Sequence, residues 1–332
     1  MYDRLLAGGF EFPPHRNRER ARIESQELMG LLRRAQVFDI QNVAEYYYSY
    51  LGEDDIRTWR ITDFPNAAPP FEACFMEFRV PRHPAFVRAS GGDPAYAVGV
   101  LSKAIVRSDP NFPELRGEDR VAKELRDNAR WLVTNALFLE WRKWQKPEAF
   151  LTYAFAVKNN GELFIEHEGR WAAGLLYEDY LDYYPDRQSE IDKEETSKLF
   201  FLSTPYFFPT LLALSFLHCK GVTVEQNPPV PRLSRTFQKR HGNSLVSFHT
   251  LHIEPMKKII ETQGQVKNLG LKRALHIVRG HFADYTESGL FGRHHGLYWF
   301  PQHMRGVSEE GLSLKDYHFR PVKQDDSSSA LK

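Results

Sequence analysis

Residues 150–166 read FLTYAFAVKNNGELFIE. Two runs of strand-forming residues, Phe150–Val157 and Glu162–Glu166, flank Lys158-Asn159-Asn160-Gly161. The Asn-Gly pair supplies the positive φ angles that a tight hairpin turn requires. An antiparallel sheet is therefore expected here, and the upstream sequence extends it. Pro65, Pro69 and Pro70 precede a strand-like Phe71–Val80, and Pro81, Pro84, Gly91, Gly92 and Pro94 precede a second run over Ala95–Arg107. Proline and glycine at these places punctuate strands rather than interrupt them. A third run, Trp131–Trp141, is apolar enough for either strand or helix.

Helices frame the strands. Between Arg16 and Gln36, Ala21, Ile23, Leu28, Met29, Leu31, Leu32 and Ala35 recur at the spacing of one helical face. A second helix is expected over Asp39–Leu51, where Tyr46, Tyr47, Tyr48 and Tyr50 beside Val43 read as core rather than as a base-stacking surface. Helical composition returns over Asp186–Phe201.

The next segment, Leu199–Cys219, runs 21 residues without Lys, Arg, Asp or Glu, long enough to cross a bilayer. Pro205 and Pro209 would break such a span twice, so a buried pair of helices is the expectation, with no membrane partner. The chain has 332 residues and only two cysteines, Cys74 and Cys219, too few for a disulfide framework or a Cys-rich zinc site. Its first twenty residues mix acid and base without an apolar core. That composition is not a secretory signal, and a cytoplasmic protein is expected.

The formal charge of +1 conceals a division. Residues 226–323 carry 15 Lys or Arg against 7 Asp or Glu, a balance of +8, whereas residues 1–225 sum to −6. The basic third opens with a proline-stiffened connector, QNPPVPRLSRTFQKRHGN at 226–243, and the tail at 324–332 has too little apolar surface to order. The expected organisation is an N-terminal α+β domain over 1–225, a basic β-rich module over 226–323 and a disordered tail. The fold class is α+β, helical with antiparallel sheet. Concentrated positive charge points to an anionic partner, RNA or a ribonucleoprotein, met by Arg232, Arg235, Lys239, Arg240, Lys272 and Arg273.

Within the module, Leu245–Ile253 and Leu275–Phe282 read as strands and Pro255–Lys267 as a helix. Alternation along Leu275–Phe282 sets Arg279 and His281 on one face, with Leu297–Met304 returning as an antiparallel partner that carries Trp299. Arg279 as a phosphate clamp beside a titratable His281 suits metal-independent RNA cleavage. It suits RNA binding as well, with Tyr285 and Trp299 stacking bases. A third reading makes His281 and Arg279 structural, and a fourth makes the basic face a docking surface for a host defence protein. His249 and His252 fall on opposite faces of their strand and His294 and His295 are adjacent, so neither pair favours a shared metal, and no cofactor motif is present.

The block HIVRGHF at His276–Phe282, followed by Tyr285 and YWFP at Tyr298–Pro301, resembles the RGHW and WxP block of the type V-A anti-CRISPR family. The founding member of that family lowers the messenger RNA of the CRISPR effector. Arg279, Gly280, His281, Trp299 and Pro301 match; Phe282 replaces a tryptophan, Val278 replaces the first of two arginines, and the loop here holds LFGRHHG. The resemblance implies a phage or mobile-element regulator, anti-defence in role, that touches RNA or a translating complex.

Overall fold

A computed structural model describes residues 1–11, 18–49, 63–81, 87, 94–106, 108, 129–142, 145–163, 193–253, 274–278, 281–289, 294–300, 303–305 and 307–312. Its centre is a seven-stranded sheet of mixed direction. In chain order the elements are α1 (Tyr2–Gly8), α2 (Arg18–Leu32), β1 (Gln36–Asp39), α3 (Gln41–Ser49), β2 (Ala73–Arg79), β3 (Ala97–Val106), β4 (Ala129–Glu140) and β5 (Glu148–Lys158). There follow α4 (Lys193–Leu217), β6 (Val222–Asn227), α5 (Pro231–His241) and β7 (Phe248–Ile253). The strand order is β5-β4-β3-β2-β1-β7-β6. The fold is α+β.

Strands β2 to β5 pair antiparallel, as the hairpin signal requires, and β4 resolves the ambiguous run over Trp131–Trp141 as strand. At the turn, Gly161 takes φ 89° and its N–H donates to the Lys158 carbonyl at 3.0 Å. The return is seen as a single bridge between Val157 and Leu163; residues 164–166 lie outside the described residues. The sheet is not wholly antiparallel, because β1 pairs parallel with both β2 and β7. That short strand occupies the junction between two expected helices, where four residues are too few to display a period of two.

Period-two alternation sorts side chains into two layers. Phe38, Cys74, Met76, Phe78, Val98, Val100, Val133 and Leu137 face α3 and α4, while Val37, Phe75, Leu101, Ala136 and Phe138 face α1 and α2. On α3, Val43, Ala44, Tyr47 and Tyr48 are buried, so this part of the tyrosine cluster is core as read.

Leu199–Cys219 departs from expectation. It is not a pair of helices: α4 is continuous from Lys193 to Leu217 with Pro205 and Pro209 inside it. Phe207, Leu211, Leu212, Ala213 and Leu214 are buried against the sheet. Among the described residues no helix is long and apolar enough to cross a membrane.

The sheet continues past residue 226. β7 pairs antiparallel with β6 across the connector and parallel with β1. Beyond it, β8 (Ala274–Val278) pairs with β11 (His303–Arg305) and β12 (Val307–Leu312), and β9 (His281–Asp284) pairs with β10 (Leu297–Phe300). The single strand expected over Leu275–Phe282 is thus two strands that belong to different sheets. The helix expected over Pro255–Lys267 lies outside the described residues.

Candidate nucleic-acid interface

The connector at 226–243 forms α5, an exposed helix between the antiparallel strands β6 and β7. Pro231 opens it with φ already suited to helix, and Gly242 closes it in the left-handed conformation at φ 79°, its N–H donating to the Gln238 carbonyl at 2.8 Å. The last turn carries Lys239, Arg240 and His241, cations placed where the helix dipole is negative. No acidic residue occurs anywhere in the helix.

One side of α5 is tethered. Ser234 Oγ accepts the Leu245 N–H at 3.2 Å, and the half-buried Phe237 ring lies 4.4 Å from that of His241. Ser234, Phe237 and His241 follow one another at three and four residues and so define one side of the helix. Arg232, Arg235 and Lys239 follow the same spacing on the opposite side, with Arg240 at its border. All four are exposed, and none forms an ion pair among the described residues. The result is a stripe of unneutralised positive charge about 10 Å long, from the 1.5 Å rise per residue of a helix. Beside it Val230 and Leu233 are 56% and 58% exposed, so an apolar strip borders the cations.

The remaining expected residues divide. Lys272, Arg273 and Arg279 lie outside the described residues. His281 is exposed at the start of β9 and stacks on Phe300 of β10, with ring centroids 5.5 Å apart and planes 13° from parallel. Tyr285 is half-buried, its ring 6.2 Å from those of Tyr298 and Phe300.

Trp299 corrects the reading as a base-stacking platform. It is 5% exposed and enclosed edge-on by Phe282, Phe216 and Tyr46 at 4.6, 5.1 and 5.4 Å. Its role is to bind the β9–β10 hairpin to α3 and α4. Lys220 N–H, donating to the Leu297 carbonyl at 2.8 Å, anchors the same hairpin. A ring packed on these sides has no face left for a nucleobase.

His249 and His252 have protein partners. His249 Nδ1 lies 3.1 Å from the Val37 carbonyl, and His252 Nε2 lies 2.5 Å from Glu225 Oε2. A second group, Asp39, Gln41, Glu45, Glu77 and Arg79, converges where β1 and β2 end and has no motif in the sequence. In the sequence they are single polar residues flanking apolar runs, and the available signal was that Asp39 precedes a helix. No family model matches the chain, and no curated protein or solved structure matches it.

Proposed function

We propose that this chain binds RNA, free or within a ribonucleoprotein, along the outer face of α5, through Arg232, Arg235, Lys239 and Arg240. The observation that carries the reading is the sidedness of that helix: Ser234 tethers one side, where Phe237 is half-buried, and the opposite side holds cations without ion pairs among the described residues. A rigid row of this kind contacts phosphates and carries little sequence information by itself. The resemblance of the Arg279–Gly280–His281 block adds the role, an anti-defence regulator of phage or mobile-element type acting on messenger RNA.

The test is RNA affinity across a salt titration. Neutralising about three phosphates of a single strand gives a log–log slope of about −2, from roughly −0.7 per contact. Arg232→Gln, Arg235→Gln and Lys239→Gln combined should bring the slope toward zero while the far-UV spectrum holds. A wild-type affinity indifferent to salt, or no RNA bound at low salt, overturns the reading and leaves the basic face to a protein partner of the host defence. Sequencing RNA recovered with the protein from cells then identifies its transcripts.

A second reading, metal-independent ribonuclease, draws on the exposure of His281. General acid–base help is worth about 10² to 10⁴ in rate. His281→Gln should therefore abolish cleavage and leave RNA affinity unchanged; absence of turnover by the wild-type protein in chelator removes this alternative.

A further inference from the structure

A cavity of about 530 Å³ opens where the parallel strands β1 and β2 end. Asp39, Glu77, Arg79 and Glu140 continue the alternation of Val37, Phe75 and Phe138, which places the cavity on the α1 side of the sheet. The carboxyl ends of parallel strands are where open sheets gather ligands, and the volume lies in the range of about 300–1,000 Å³ typical of small-molecule sites.

Two of its carboxylates are already answered by α1. Glu77 Oε2 accepts the Tyr2 N–H at 2.8 Å and lies 3.0 Å from the Met1 amino group. Glu140 is fully buried and paired with Arg4. Three further charged groups face the space without an ion pair among the described residues: Asp39, Glu45 and Arg79.

Gln41 joins the two carboxylates to the backbone of Arg79. Its backbone N–H donates to Asp39 Oδ1 at 2.9 Å, its Nε2 donates to Glu45 Oε1 at 3.0 Å, and its Oε1 accepts the backbone N–H of Arg79 at 2.8 Å. Asp39 and Arg79 interact through space without closing to an ion pair. Two acids and an arginine thus line one cavity with no ion pair between them among the described residues, and a ligand that joins them must carry both signs. Ala97, paired with Arg79 and Glu140, adds apolar wall for an alkyl stem.

We propose that this cavity binds a free dibasic α-amino acid, its carboxylate on the Arg79 guanidinium and its two cationic groups on Asp39 and Glu45. The three protein groups sum to −1 and such a ligand to +1. The planar fork of arginine is matched to a carboxylate, which gives the site a reason to prefer an amino acid over a simple amine. An acidic amino acid would set its second carboxylate against Glu45 and be rejected by repulsion. The site stands apart from RNA binding by α5.

Calorimetric titration of the full chain tests the assignment, with L-arginine, L-lysine, agmatine and L-glutamate as probes. L-Arginine or L-lysine should bind saturably at one site, agmatine at least tenfold more weakly than L-arginine, and L-glutamate not at all. Arg79→Gln should abolish the preference for L-arginine over agmatine, whereas Asp39→Asn should weaken both. Circular dichroism establishes that the variants fold. Absence of saturable binding by both dibasic amino acids, equal wild-type affinities for L-arginine and agmatine, or a preference for L-arginine that survives Arg79→Gln, overturns the proposal.

Discussion

The Tyr48 hydroxyl donates at 2.9 Å to the carbonyl of Pro205, the acceptor that Pro209 leaves without its helical donor. Proline has no N–H, so the i to i−4 bond that would end on Pro205 is absent, and a buried carbonyl would be left unsatisfied. Burial raises the Tyr48 hydroxyl well above its ordinary pKa and so keeps it protonated as a donor. This bond joins α3 to α4 and explains how one helix accommodates proline at that position.

Tyr48→Phe should therefore destabilise the protein by about 1–3 kcal/mol, the range for a buried polar group deprived of its partner. In a Pro209→Ala background the alanine N–H can serve Pro205, and the effect of Tyr48→Phe should shrink. Denaturant unfolding of the four species measures the coupling. Equal effects of Tyr48→Phe in both backgrounds would show that the hydroxyl does not substitute for the missing donor.

Both thiols are sealed. Cys74 on β2 and Cys219 after α4 are buried, and burial pushes each up to about 12. Only the thiolate attacks a disulfide reagent, so at pH 8 the ionised fraction falls about 10³ below that of an ordinary cysteine with a pKa of about 8.5. The native protein should leave a thiol-reactive disulfide probe almost unconsumed over the time in which the denatured protein releases two equivalents. Fast release of either equivalent from native protein would place that thiol in solvent.

The parts of the fold legible in the sequence are those with local causes. Asn160-Gly161 set the turn after β5, and the apolar spacing of Leu28, Leu31 and Leu32 set α2. Long-range pairing was not legible. β1 has four residues and owes its place to parallel contacts with Cys74–Glu77 on one side and His249–Thr250 on the other, far away in the chain. Of the candidate interface, the cations of α5 were visible as composition, while their sidedness came from the tether at Ser234. Trp299 was misassigned because an aromatic in a basic segment reads the same whether it faces solvent or Phe216. The cleft went unread because Asp39, Glu45 and Arg79 meet only when β1 and β2 are aligned.

Asp39 makes stability depend on pH in a defined direction. Burial, and after it the nearby Glu77, raises its pKa above the usual carboxylate range, against the lowering effects of the Gln41 N–H, Arg79 and the Met1 amino group. A carboxyl whose folded pKa is raised binds a proton more tightly in the folded state than in the unfolded one. Its contribution to stability is therefore most favourable at low pH and is lost as pH rises from the ordinary carboxylate value through the raised one. Asp39→Asn keeps an oxygen for the Gln41 N–H and carries no charge to desolvate. The variant should unfold at a higher temperature than wild type at pH 7, with the difference narrowing toward pH 4. A difference that stays constant across this range would assign the gain to packing rather than to ionisation.

Gly99 on β3 leaves no room for a side chain beneath Phe75 and Met1. A Cβ built there meets Phe75 Cζ at 2.4 Å and Met1 Sδ at 2.9 Å, closer than carbon and sulfur atoms approach. Phe75 is fully buried and its ring contacts Tyr2 and Phe138 at 5.1 and 6.0 Å, so it has no free volume into which to retreat. Gly99→Ala should destabilise by about 1–3 kcal/mol through overpacking, in spite of the better strand propensity of alanine. Shrinking the obstacle separates this cause from an effect on the backbone. Phe75→Leu removes the ring that blocks the methyl group, and although that change alone opens space in the core, adding Gly99→Ala to it should then be close to neutral or stabilising. If Gly99→Ala is equally harmful in the Phe75→Leu protein, the glycine is required for strand conformation or for the contact with Met1, and the steric account of this position fails.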